Sequence, residues 1–208
     1  MDRLNDLLNQ CAALHQHLCP RQVLGVRMGL LGGQLLGLDL PGTDKRLLTL
    51  VELDGCGADG VAVATGCRVG RRTLRVLDYG KTAATFVDTQ TGRAVRVRPH
   101  PAARERAADY APEATSRWES YLLGYQRMPD DELLIADEVE LAWSLDKILS
   151  KHGYRVTCEQ CGEEIINERE VYQGEQLLCQ TCAGDAYFRR VGSPQAGHAP
   201  EPRLGLAL

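Results

Sequence analysis

Four cysteines near the C-terminus stand in two pairs, Cys158-Glu-Gln-Cys161 and Cys179-Gln-Thr-Cys182, with 17 residues between the pairs. Two residues between cysteines allow a tight turn that aims both sulfurs at one ion. Two such pairs complete a tetrahedral shell at about 2.3 Å per Zn–S bond. The pattern predicts a structural zinc held by Cys158, Cys161, Cys179 and Cys182. Residues 170–172 and 176–178 read as the two arms of a hairpin turning at Gly174. Residues 183–190, after Cys182, read as a short helix. A knuckle, a hairpin and a second CxxC opening a helix resemble a treble-clef or zinc-ribbon finger. So short a module buries little apolar surface, and the metal would contribute on the order of 10–16 kcal/mol to its fold. Two disulfides or four free thiols are the other readings. Disulfide frameworks belong to short secreted chains, whereas this N-terminus (MDRLNDLLNQ) has no basic segment followed by an apolar block, so a cytoplasmic protein is expected.

A second constellation lies upstream. Leu14-His15-Gln16-His17-Leu18-Cys19-Pro20 falls between two helical patterns, and Asp54-Gly55-Cys56-Gly57-Ala58-Asp59-Gly60 follows an apolar strand pattern. In an extended segment His15, His17 and Cys19 share one face. With Cys56 they supply enough nitrogen and sulfur for zinc or another borderline-soft metal. The candidate core site therefore comprises His17, Cys56 and either Cys19 or His15, with Asp59 nearby and Lys81 assisting. A metal there could polarise a carbonyl or activate water. A cysteine beside a histidine could instead act as a nucleophile. The same residues could also be no more than buried histidines and small core cysteines. Cys11 lies on an apolar helix stripe and reads as core.

The elements that must position these groups follow from hydrophobic period. Leu4, Leu7, Leu8, Cys11 and Leu14 have helical spacing, and Pro20 suits the first turn of a second helix. That second stretch, residues 23–38, is mostly apolar. Gly25, Gly29 and Gly33 line one of its faces, which suggests close packing on another backbone. Residues 47–53, 73–78, 83–88 and 94–98 read as strands, with a hairpin loop at 89–92; residues 61–65 could be strand or helix. Residues 112–125 and 130–150 read as helices. Two helices followed by clustered strands predict an α+β domain with an antiparallel sheet. The expected organisation is a core domain over 1–150, a finger over 151–190 and a disordered tail over 191–208.

Charge is unevenly spread. Residues 68–106 carry a net +7 and residues 107–150 a net −7. Opposite blocks pair within a chain or across a dimer, or the basic block serves an anionic ligand. The glycine-faced helix and the acidic block together predict a homodimer with residues 107–150 at or near its interface. The finger region 151–190 holds five Lys/Arg against seven Asp/Glu, which argues against a nucleic-acid partner. No apolar run reaches the roughly 18–20 residues a membrane span needs.

These residues also carry a resemblance. His15-Gln16-His17-Leu18-Cys19-Pro20 and Leu24-Gly25-Val26-Arg27-Met28-Gly29 resemble the "HGHLCPG…LGxRxG" opening of the FmdE family of formylmethanofuran dehydrogenase proteins. Asp54–Val61 resembles its "TDACGVDAIQ" stretch. Thr65–Leu74, Asp78–Lys81 and Arg93–Val97 resemble its "TGCTxGKxNLxxxDYGK…GxAVRV" run. The chain departs from the pattern at Gln16 for glycine, Arg21 for glycine and Gly55 for alanine. The resemblance implies an α+β core, an intertwined homodimer, a cleft lined by the His, Cys and Asp residues above, and a C-terminal treble-clef finger. It further implies an enzyme or accessory protein linked to a molybdenum or tungsten enzyme. The alternative function is a zinc-finger regulatory or protein-interaction protein without catalysis.

Overall fold

The computed structural model describes residues 3–149, 151–189 and 191; the expected tail falls almost wholly outside them. The chain divides into two compact units between Ala142 and Trp143, somewhat before the expected boundary at 150. In the first unit, α1 (Arg3–His15) leads into α2 (Pro20–Leu36), β1 (Leu47–Val51) and α3 (Cys56–Thr65). Then come β2 (Leu74–Val76), β3 (Ala84–Asp88), β4 (Ala94–Pro99), α4 (Ala103–Arg106) with a 3-10 turn at Ala107–Tyr110, α5 (Arg117–Arg127), α6 (Asp130–Leu133) and β5 (Leu134–Val139). The sheet order is β2-β1-β3-β4-β5. β1 runs parallel to β2, and the remaining pairs are antiparallel, as expected for most of the sheet.

α2 is the centre of this unit. It is apolar nearly all round, which suits a helix buried on several sides, and Val23, Val26 and Met28 are fully buried. It packs on α1, α3 and α5 and on the β3–β4 face of the sheet. Its glycines each cost about 1 kcal/mol of helix propensity against alanine, and the packing explains them. A Cβ at Gly25 would overlap the Gly57 carbonyl and sit 2.9 Å from Val61 N. A Cβ on Gly60 would overlap the Gln22 carbonyl and sit 3.0 Å from Val26 N. Gly32 leaves room for the fully buried Phe86 ring. Backbone-to-backbone approach of α2 and α3 is thus written in glycine on both helices.

One expectation fails here. Residues 130–150 are not one helix. α6 is a single turn, β5 follows at once, and only α7 (Leu145–Ile148) is helical beyond it. β5 is an edge strand whose exposed Asp137 and Glu138 meet arginines of β4 and its approach: Arg98–Asp137 at 3.7 Å and Arg93–Glu138 at 3.4 Å. Charged side chains are a common guard on a sheet edge. With Arg106–Glu132 at 3.9 Å, these pairs show the acidic block meeting the basic block within the chain. Asp88 closes the β3–β4 loop: it accepts two bonds from Arg46 (2.9 and 2.8 Å) and others from Gln90 N and Thr91 Oγ1. The Arg46 guanidinium holds this carboxyl well below the usual carboxylate range.

The second unit holds α7 and two small antiparallel hairpins, β6 (Arg155–Thr157) with β7 (Glu164–Ile166), and β8 (Val171–Gln173) with β9 (Gln176–Leu178). The β8–β9 turn falls at Gly174, whose φ is +65°. Among the described residues after Cys182 the expected helix is absent: residues 180–184 form a turn that ends at Gly184, with φ at +105°.

Candidate functional site

In the second unit the sulfurs of Cys158, Cys161, Cys179 and Cys182 lie within 4.8 Å of one another. The two knuckles aim backbone N–H groups at sulfur: Cys179 N to Cys158 Sγ at 3.2 Å, and Cys182 N to Cys179 Sγ at 3.4 Å. Donors such as these favour thiolate, and the Cys158 thiol is lowered to about 6, chiefly by the Cys161 backbone N–H. The arrangement can hold a metal ion such as zinc. Among the described residues it is the one cluster of three or more potential ligands at such spacing.

The upstream constellation is built by three helix ends meeting. α1 ends at His15, and Gln16 turns the chain with φ +61°. That left-handed conformation favours glycine, which is what the FmdE pattern carries at this position. Cys19 then precedes α2, its N–H donating to Gln22 Oε1 at 2.7 Å. Gln22 is fully buried, and its amide nitrogen donates to the Cys11 carbonyl at 3.2 Å, tying α1 to the start of α2. Gly55 has φ +78° and ψ −151°, a region that only glycine occupies readily, and it sets Cys56 as the first residue of α3. Cys56 is thus a helix start rather than a loop residue, and residues 61–65 complete the helix.

The α2–α3 approach brings the expected residues together in two couples. His15 Nε2 meets Asp59 Oδ2 at 2.6 Å. The Cys56 thiol is raised by burial first and then by its hydrogen bond with the Cys19 thiol, with the Asp59 charge adding to the shift. His17 is exposed; its Nδ1 lies 2.9 Å from the His15 carbonyl, and its ring stands edge-on to that of His15 at 6.1 Å. Lys81 is exposed on a loop whose backbone is held by the Glu52 carbonyl at 3.0 Å. Cys11 is fully buried, with its thiol pushed up to about 11 by burial. Cys67 is buried against Leu47 O and Thr49 Oγ1. These two are core.

Cys19 and Cys56 open onto a cavity of about 310 Å³ whose opposite wall is α5, with Trp118, Tyr121 and Tyr125, together with Arg104 of α4. The Tyr121 and Tyr125 rings stack at 5.7 Å. Sequence reasoning missed this wall and Gln22. The local signals were the Tyr121/Tyr125 spacing, which puts two aromatics on one helix face, and a glutamine one residue before the apolar run that begins at Val23.

Residues 14–135 match the family described as FmdE, molybdenum formylmethanofuran dehydrogenase operon. A protein of Archaeoglobus fulgidus named a probable S-adenosyl-L-methionine-binding protein is 30% identical over 212 aligned residues. The alignment covers 91% of this chain and 56% of that protein, so the chain spans little more than half the length of this relative. The crystal structure of a tungsten formylmethanofuran dehydrogenase FmdE-like protein from Syntrophus aciditrophicus superposes with a TM-score of 0.58 at 22% identity, over 89% of this chain and 95% of that one. That likeness is one of fold. With the family match running from the end of α1 into β5, more than half of the chain, this chain belongs to the FmdE family.

Proposed function

We propose that this is a metal-binding FmdE-type protein with two metals: a structural zinc in the four-cysteine cluster, and a second ion in the cleft at His15, His17, Cys19 and Cys56. The observation that carries the reading is the pairing where the ends of α1, α2 and α3 meet. Two thiols adjoin at one cavity, while Asp59 engages Nε2 of His15 and a carbonyl engages Nδ1 of His17. Imidazoles whose one nitrogen is held by an oxygen acceptor are commonly oriented to ligate through the other. An ion so held would act as a Lewis acid on a bound carbonyl or water, with Asp59 and Lys81 as the nearby charged groups. A direct nucleophilic role for Cys56 is the thiol form of the same reading. The family's operon description supports service to a molybdenum formylmethanofuran dehydrogenase. Elemental analysis decides between the forms. Wild type should carry two metals per chain and Cys56→Ala one. A single metal in both would leave the finger as the sole metal site, and would favour the thiol form or a finger-based interaction protein.

The reading includes a homodimer. Pairing of the charge blocks within the chain removes the electrostatic motive for one, but apolar exposure supplies another. β2 ends the sheet at an open edge, and Val69, Val76 and Tyr79 are 63%, 42% and 48% exposed around it. Light scattering at micromolar concentration should return about twice the 22.9 kDa chain mass. A mass near one chain would refute the dimer.

A further inference from the structure

We propose that the cleft binds a small aromatic molecule with an anionic terminus, its planar part on Trp118 and Tyr121 and its anion on Arg104 and Arg117. The proposal rests on the reading of the cleft as the working site and names its ligand class. The cavity of about 310 Å³ lies in the range of small-molecule sites. It shares Arg104 and Tyr121 with a neighbouring groove of about 460 Å³ that adds Arg117 and Ser120. Trp118 is 52% exposed, a large flat surface about half open to solvent in the lining of the cavity.

Charge sets the second half of the class. Arg27, Arg46, Arg93, Arg96, Arg98, Arg106 and Arg127 all pair with carboxylates of their own unit. No carboxylate among the described residues pairs with Arg21, Arg104 or Arg117, and these three line the two neighbouring openings. Glu105 is the single acid lining either opening. Guanidiniums without a carboxylate partner, gathered beside an aromatic wall, are matched by a carboxylate, sulfonate or phosphate on a planar body. This placement leaves the far end of the ligand facing Cys19 and Cys56.

The test uses two probes that differ by one sulfonate, 1-anilinonaphthalene-8-sulfonate and N-phenyl-1-naphthylamine, titrated into the full chain by fluorescence. The sulfonate should saturate one site per chain and bind about tenfold more tightly than the neutral probe, the scale of a charge-assisted bond. Added salt should erode that preference. Arg104→Gln/Arg117→Gln should abolish the preference while neutral-probe affinity holds. Trp118→Leu should weaken both probes alike. Equal affinity of the two probes in wild type, a preference that survives the arginine substitutions, or no effect of Trp118→Leu would overturn the proposal. Metal content read on the same samples separates the two ideas. Two metals without sulfonate preference sinks the ligand class alone, and one metal with the preference intact sinks the metal reading alone.

Discussion

Cys161→Ser, or exposure of the metal-loaded protein to a strong chelator, should unfold the second unit and leave the five-stranded sheet folded. The apolar cluster around the four cysteines consists of Cys158, Ile165 and Leu178, flanked by Val156, Leu177, Ala183 and the other three cysteines, and Ile148 of α7 is the other buried apolar side chain among the described residues of that unit. The four metal ligands are therefore a large share of what is buried. Each of the four strands is only three residues long, and two-stranded hairpins of this size are not stable alone. Ile148, Ile165 and Leu178 together contribute roughly 5–9 kcal/mol of burial, whereas a structural zinc contributes on the order of 10–16 kcal/mol. Removing one sulfur also leaves three thiols crowded around an incomplete shell. Hydrogen exchange followed by mass spectrometry reads both units at once. Peptides spanning 155–178 should lose protection in Cys161→Ser, while peptides from β1, β3 and β4 keep theirs. Retained protection of the β6–β9 hairpins in metal-free protein would show that the unit folds without its metal.

The finger is legible in the sequence because its information is local. The CxxC spacing and the glycine at the β8–β9 turn each sit within a few residues. Strands β1 to β4 are legible for the same reason, and Gly25 and Gly29 announce a close backbone neighbour without saying that it is α3. β5 is not legible. Leu134 and Ile135 followed by Asp137 and Glu138 fit a short amphipathic helix as well as an edge strand. What decides is the pairing with β4, where Val95 is in register with Glu138 and Arg96 with Asp137, and no local window contains that pairing.

The cleft divides in the same way. His15, Cys19, Cys56 and Asp59 stand out as residue types, and the meeting of helix ends that couples His15 to Asp59 and Cys19 to Cys56 follows from the glycine crossing. The aromatic wall comes from residues 118–125, far along the chain from Cys19. Tyr121 and Tyr125 read locally as one amphipathic face of a surface helix, with nothing to point them at α2. Gln16 is a different case: its left-handed φ is invisible in this sequence and legible only through the glycine that the family pattern places there.

What holds that aromatic wall in place is Arg27, and Arg27→Ala should be among the most damaging single changes in the first unit. Arg27 lies on the buried central helix α2 with 9% of its surface exposed. Its guanidinium donates to the carbonyls of Tyr125 (2.7 Å), Gln126 (3.3 Å) and Met128 (2.7 Å), and to Asp130 Oδ1 at 2.7 Å. The first three are the carbonyls that the end of α5 leaves without helical partners. A cation is favoured there by the helix dipole as well. Alanine would strand those carbonyls in the interior, and breaking a buried charged cluster of this kind costs about 3–5 kcal/mol. At roughly 2–4 °C per kcal/mol for a domain of this size, the melting midpoint should fall by about 10 °C. Asp130→Asn separates the carbonyl contacts from the ion pair. The Asp130 side chain is 45% exposed, so its loss should cost about 1 kcal/mol or less. Arg27→Lys should recover little, because a single ammonium cannot reproduce the planar fork that reaches several acceptors. If Asp130→Asn proved as damaging as Arg27→Ala, the ion pair would be the anchor and the capping argument would fail. Because α5 carries Trp118, Tyr121 and Tyr125, the same substitution should also loosen the cleft wall, and both naphthalene probes should bind Arg27→Ala more weakly at temperatures where it remains folded.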